Sequence, residues 1–242
     1  MESLNIQKKT RGDEYMETLN LEETSVREIN QYLHKTLPES KVTEIEIINP
    51  TGEHNIAVGM DTECTIDVRG HAGYYLGGMN KKANITVHGN VGNGVAENMM
   101  SGSVHVKGFA SASAGATGHG GTLVIDGDTG LRCGISMKGI DIVVGGSIGN
   151  FSGFMAQAGR MIVCGDAGEG LGDSLYEAVI YVKGTIKSLG ADAQLEPMTE
   201  DDYTAIKALL DFAGFDHDPK DFKRVASAKQ LYNWNADANQ EY

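Results

Sequence analysis

One pattern recurs along this chain at a constant interval, and it limits the possible folds more than any single motif. The pattern is apolar, any, apolar, any, Gly. It reads IDVRG ending at Gly70, ITVHG at Gly89, VHVKG at Gly108 and LVIDG at Gly127. It continues as IVVGG at Gly146, MIVCG at Gly165 and IYVKG at Gly184. The spacing is nineteen residues each time, the mark of a repeat architecture in which each unit buries its apolar face only by stacking on a neighbour.

The remainder of the unit repeats as well. Three positions after the first glycine stand Gly73, Gly92, Gly130, Gly149 and Gly168, with Ser111 and Lys187 as exceptions. Seven positions after it stand Gly77, Gly115, Gly134, Gly153 and Gly172, with Ala96 and Ala191 as small substitutes. A strand with alternating apolar residues has one inward and one outward face. The small residues mark tight corners. Strand, corner and short strand at constant length stack in register, which predicts an all-β fold: a single-stranded right-handed parallel β-helix of seven 19-residue rungs with helical N- and C-terminal extensions. At ~4.8 Å per rung the prism is roughly 34 Å tall. Gly70, Gly89, Gly108, Gly127, Gly146, Gly165 and Gly184 form its structural glycine ladder. No stretch reads GxGxxG or GxxxxGK[ST], so the glycines are architectural rather than a phosphate cradle.

Residues four and two before each ladder glycine, from Ile66 and Val68 to Ile180 and Val182, are the expected core. The residue three before it points outward: Asp67, Thr86 and His105, then Val124, Val143, Ile162 and Tyr181. The last four stack an apolar stripe on an outer face, beside small residues at Gly145 and Cys164. A stripe this long is covered. Either the chain's own terminal segments lie over it, or Val124, Val143, Ile162 and Tyr181 are an interface for another subunit.

The rungs end in recognisable extensions. Residues 44–198 form the repeat domain, with 1–43 and 199–242 as flanks. EIEIINPTGEHNIAVG offers an imperfect half-rung with Gly52 and Gly59 seven apart. Upstream, a helix is predicted from about Ser25 to Thr36, with Ser25 and Glu28 at capping-box spacing and Pro38 beyond its end. A second follows Thr199, which pairs with Asp202 in the same way, and stops at Gly214. DFKRVASAKQLYNW reads as a third helix or an irregular docking tail, and NADANQEY as mobile.

Charge excludes some partners. The chain carries a formal net charge of −13. The rungs from Cys64 to Met198 hold 11 acids and 9 bases, so most of the excess lies on the flanks. An acidic surface repels phosphate backbones, so nucleic acid is not expected. No apolar run reaches membrane-spanning length, and the first residues lack a signal-peptide pattern. Three dispersed cysteines (Cys64, Cys133, Cys164) specify neither disulfides nor a metal site, and a cytoplasmic location is expected.

Candidate chemistry is sparse. The histidines fall in different columns, the rung acids are scattered, and no serine has a nucleophile-elbow context. Met79, Met99, Met100, Met137 and Met155 are expected to fill the prism. No catalytic, cofactor-binding or metal-binding residue is assigned.

The stretch GDAGEGLGDSLYEAVIYVKG, with Gly168, Gly170 and Gly172 in GxGxG spacing, resembles the GXGXG β-helix domain of the glutamate synthase large subunit. The resemblance runs from about Gly52 to Ala193. VREINQYLH, HNIAVG and DFKRVASAKQLYNW look like stand-alone versions of this domain, which occur as subunits of glutamate synthase-like complexes. One such complex is N-methylglutamate synthase (methylamine–glutamate N-methyltransferase). In that family an amidotransferase with an N-terminal cysteine releases ammonia, and a flavin barrel with an iron–sulfur cluster uses it. Here Glu2 follows Met1, and no segment has barrel length. The resemblance therefore implies a non-catalytic structural subunit. It would brace a glutamine amidotransferase-like subunit and a synthase-like subunit that carries FMN and an iron–sulfur cluster. An ordinary glutamate synthase, the β-helical subunit of formylmethanofuran dehydrogenase, or a free-standing β-helix enzyme remain alternatives.

Overall fold

The alternation of apolar residues becomes a ladder of short parallel strands. A computed structural model describes residues 7–11 and 14–229. The repeat strands are β4 (Thr65–His71), β5 (Asn84–Val87), β6 (Ser103–Val106), β7 (Thr122–Ile125), β8 (Lys138–Val144), β9 (Ala158–Val163) and β10 (Val179–Val182). Each pairs in parallel with the next, nineteen residues on: Ile66 opposite Ile85, Ile85 opposite Val104, Val104 opposite Leu123. The result is a parallel β-solenoid of about seven turns. Every expected core position, from Ile66 and Val68 to Ile180 and Val182, is at most 1% exposed. Stacking makes this core continuous, so each rung buries against its neighbours what it could not bury alone.

A second ladder runs two residues after the ladder glycine. Ala72, Val91, Ala110 and Thr129 form one bridged series, and Ile148, Ala167 and Ile186 another. Between the ladders the glycines stack backbone on backbone: Gly108, Gly127, Gly146, Gly165 and Gly184 each donate their N–H to the glycine carbonyl one rung earlier. At Gly165 an added Cβ would lie 2.6 Å from the Gly146 carbonyl carbon. Close approach of main chains is therefore what this column selects.

The corners explain the second glycine series. Residues five, seven and nine after the ladder glycine hold a left-handed φ: Arg132 at 59°, Gly134 at 66° and Ser136 at 52° in one rung. The alternation directs successive N–H groups to opposite sides. Arg132 and Ser136 donate forward, to the carbonyls of Asn150 and Phe154, whereas Gly134 donates backward to Ala114. The middle residue faces inward, and a Cβ on Gly134 would sit 2.3 Å from the Met161 Cε. These N–H groups are consumed by rung-to-rung bonding, so the corner cannot act as an anion cradle.

The sheet continues past the repeats at both ends. Ahead of them lie β1 (Gln7–Arg11), β2 (Glu14–Asn20), α1 (Val26–Lys35) and β3 (Val42–Thr51). The segment before residue 44 thus holds strands as well as a helix. β2 pairs in parallel with β3, β3 in parallel with β4, and β1 is antiparallel to β2. The expected half-rung is a full one with shifted register. Ile45 lies opposite Ile66, but Thr51 lies opposite His71, and the extra residue is absorbed where Asn49 adopts φ 58°. Gly52 and Gly59 do not take the columns that their spacing suggests. Ala57 stands in the middle corner position, and the Ile56 carbonyl before it accepts the N–H of Gly77.

At the other end come β11 (Ala193–Glu196), α2 (Glu200–Ala213) and β12 (Lys223–Ser227). The expected third helix or irregular tail is instead a strand over its described part. β12 pairs antiparallel with β10 on one side and β11 on the other, and Val225 enters the core opposite Ile180. The last rung offers an unpaired edge, and satisfying that edge decides the conformation. The remainder of that stretch, the terminal NADANQEY and Glu2 lie outside the described residues.

Candidate functional site

Three surfaces of the prism carry the side chains that could do anything beyond holding it together. The first is the apolar stripe. Val124, Val143, Ile162 and Tyr181 are buried, packed against Ile206, Leu210 and Ala213 of α2 and against Phe222. The sequence left two occupants open, and the structure places the chain's own helix there. This corrects the reading of these four residues as an interface for another subunit: they face α2, not solvent. Both helices begin at the predicted caps, with reciprocal Ser25–Glu28 and Thr199–Asp202 bonds, and α2 ends on Gly214 at φ 77°. The small column beside the stripe also has its reason. Cys164 packs against the α2 cluster, and a Cβ on Gly145 would lie 2.9 Å from the Phe215 ring.

Inside this contact is a polar network. The Tyr181 hydroxyl donates to Asp202 Oδ1 at 2.6 Å, Thr199 Oγ1 donates to Asp202 Oδ2 at 2.7 Å, and Arg224 Nε lies 3.3 Å from Asp202 Oδ1. Arg224 also pairs with Glu196. Burial works against the Asp202 charge, but the bonds from Tyr181 and Thr199 hold its carboxyl below the usual range. Burial first, then the bond to Asp202, raises the Tyr181 hydroxyl above the usual tyrosine range. A comparable pair, Tyr32 donating to Glu17, anchors α1 at the opposite end. Both networks bind terminal segments to the prism.

The second surface continues the same outer face towards the N-terminus, where the stripe is polar. Arg69 pairs with Glu46 at 2.8 Å, and His88 Nε2 lies 2.5 Å from Asp67. His105 Nε2 lies 2.6 Å from Asp126, with Lys107 at 3.6 Å from the same carboxylate. These are neighbouring columns of successive rungs, zipped by charge. Among the described residues no group of three or more His, Cys, Asp or Glu side chains is arranged to hold a metal ion. A further polar ladder lies one residue after the glycines: the Asp128 carboxylate accepts from Ser147 N–H, the Ser147 hydroxyl from Asp166 N–H, and the Asp166 carboxylate from Thr185 N–H. It closes backbone donors between rungs.

The cysteines do not converge. Cys64 and Cys133 are buried, Cys164 is partly so, and none is bonded to another. Burial pushes the thiols of Cys64 and Cys164 up to about 11, and that of Cys133 up to about 12. None is poised as a nucleophile at neutral pH.

The third surface is the row of corners, and here one expectation fails. Met99 and Met137 fill the prism, but Met79, Met100 and Met155 are 50%, 45% and 41% exposed. Met79 and Met155 stand at the ninth position after the ladder glycine, where the alternation along the corner leaves the side chain outward, opposite in sense to the inward seventh position. Tyr75 and Phe151, at the fifth position, are exposed for the same reason. The sequence carries the signal as large apolar residues in columns that elsewhere hold mostly small or polar ones, such as Gly94, Ser113, Asn98, Thr117 and Ser136.

These features define a parallel β-solenoid that closes its own ends and one of its sides. The chain is 57% identical over 228 residues to protein GlxC of Rhizobium meliloti (strain 1021), a match that covers 94% of this chain and 100% of that protein. It belongs to the GlxC family. No family model and no solved structure matches it. No helix among the described residues is long and apolar enough to cross a membrane.

Proposed function

We propose that this chain is a structural subunit of a glutamate synthase-like complex, with N-methylglutamate synthase as the specific assembly. In this reading it braces a glutamine amidotransferase-like subunit and a synthase-like subunit that carries FMN and an iron–sulfur cluster. The observation that carries the proposal is the constant nineteen-residue pairing of the inward residues from β4 to β10. Nine strands from β2 to β10 run parallel, with their ends closed by other segments of the chain. Close-packed stacks of this kind resist compression and bending, which suits a strut of fixed length between two catalytic units. The GXGXG-type repeat and the likeness to protein GlxC support this kind of complex. A strut of fixed length holds two active sites at a constant separation, which favours passage of an intermediate between them.

The test is purification from the source organism through this subunit. The expected result is a large assembly with flavin absorbance that turns over methylamine in the presence of glutamate. A colourless single chain, stable on dilution, would overturn the proposal. An assembly with flavin but no methylamine turnover would keep the scaffold role and reassign the complex.

A further inference from the structure

The exposed corner residues oppose local preference. Positive φ is unfavourable for large side chains, and such residues recur where function demands them. In most rungs the outer corner positions hold residues that tolerate this backbone, such as Gly94, Asn98 and Ser113. Two rungs instead hold Tyr75 with Met79 and Phe151 with Met155, all at φ between 53° and 61°. These side chains are 41–50% exposed, so the core gains little from them.

The two aromatic rings are also supported. A Cβ on Gly94 would lie 2.7 Å from the Tyr75 ring, and one on Gly170 would lie 2.9 Å from the Phe151 ring. Each ring thus rests along the stack over a glycine one rung on. Between the two apolar ridges, about 19 Å apart at four rung spacings, the same column holds Gly94, Ser113 and Arg132. Arg132 sits one rung before Phe151 in the same column. It is exposed, and its side chain makes no hydrogen bond or ion pair among the described residues. Aromatic residues, methionine and arginine are enriched in interface cores, and here they are flanked by the charged residues Glu97, Lys138 and Glu169 as a rim would be.

We propose that this corner face is the docking surface for a different polypeptide, one presenting an apolar patch and a carboxylate that pairs with Arg132. The unpaired guanidinium favours an acidic group opposite it, by local complementarity alone. A two-fold contact with a second copy, centred here, would set Arg132 against itself. The inference rests on the scaffold reading: the partner is a subunit of the same assembly.

Phe151→Gly, Tyr75→Gly and Arg132→Glu, each in the full chain, provide the test. Glycine suits the left-handed backbone, so thermal midpoints of the isolated chain should stay level or rise in the two glycine variants. Affinity for the assembly should fall roughly tenfold or more in each variant. A marked fall in the midpoint of both glycine variants would assign the rings to folding and overturn the proposal. Wild-type assembly with undiminished affinity in all three variants would overturn the docking face and leave the scaffold reading intact. A wild-type chain that purifies alone would overturn both. A homodimer broken by Phe151→Gly would replace the proposed occupant with a second copy.

Discussion

The Asn30 carboxamide stands in for a missing rung at Ala57. Its Oδ1 accepts the Ala57 N–H at 3.0 Å and its Nδ2 donates to the Asn55 carbonyl at 2.7 Å. From Gly77 to Gly172 each later residue in the Ala57 column donates its N–H to a carbonyl of the preceding rung, as Gly77 does to Ile56. The first corner has no predecessor, and α1 supplies the groups from a side chain. His34 Nε2, 2.8 Å from the Val58 carbonyl, completes the cover. Closure of the solenoid is therefore partly a matter of individual side chains.

Asn30→Ala leaves the buried Ala57 N–H and the Asn55 carbonyl unpaired. The expected cost is about 1–3 kcal/mol, the range for an unsatisfied buried polar group. Urea unfolding measures the loss, and hydrogen exchange should show the Ala57 amide opening faster while Gly115, far along the stack, stays protected.

The two classes of glycine should differ sharply when changed to alanine. At Gly165 the added Cβ meets the Gly146 main chain, which cannot move without shifting a rung. Overpacking against backbone should cost about 3 kcal/mol or more. At Gly214 nothing lies within 4 Å, and only the φ of 77° is strained. That change should cost about 1 kcal/mol. Equal losses in thermal unfolding would refute the distinction.

Tyr181→Phe removes one of the bonds that hold Asp202 charged, at an expected cost of about 1.5–3 kcal/mol. The pH dependence follows from the shifts. Asp202 is lowered in the folded state, so its contribution is present above about pH 4 and is lost as pH falls through the folded value. Tyr181 is raised, so its contribution is present below about pH 10 and is lost as pH rises beyond that towards its folded value. In the variant the acid-side loss should become shallower and the alkaline-side loss contributed by this tyrosine should vanish. Stability curves from pH 3 to 11 would show either.

Val143→Asp places a charge under α2, where Val143 is fully buried. The expected result is a loss of about 3–5 kcal/mol, the range for an unpaired buried charge, with release of the helix before the rungs melt. Limited proteolysis should cut within residues 199–214 first. A folded, protease-resistant variant would show that α2 is not held by this stripe.

The sequence by itself determined the repeat, the strand phase, the inward stacks and both helix caps. These depend on local chemistry recurring at a fixed interval, and Ile66, Ile85 and Val104 can meet only in the register that nineteen residues allow. It also marked Val124, Val143, Ile162 and Tyr181 as a stripe needing cover. Only the tertiary structure decided what lies there, because α2 is amphipathic wherever it docks and its partner is remote in the chain. The same holds for β12. Lys223–Ser227 has no strong preference of its own and becomes a strand because β10 offers an open edge. The methionines divide for a related reason: Met99 and Met79 are chemically alike, and only the place each takes at the corner, tenth or ninth after the ladder glycine, separates a buried side chain from an exposed one.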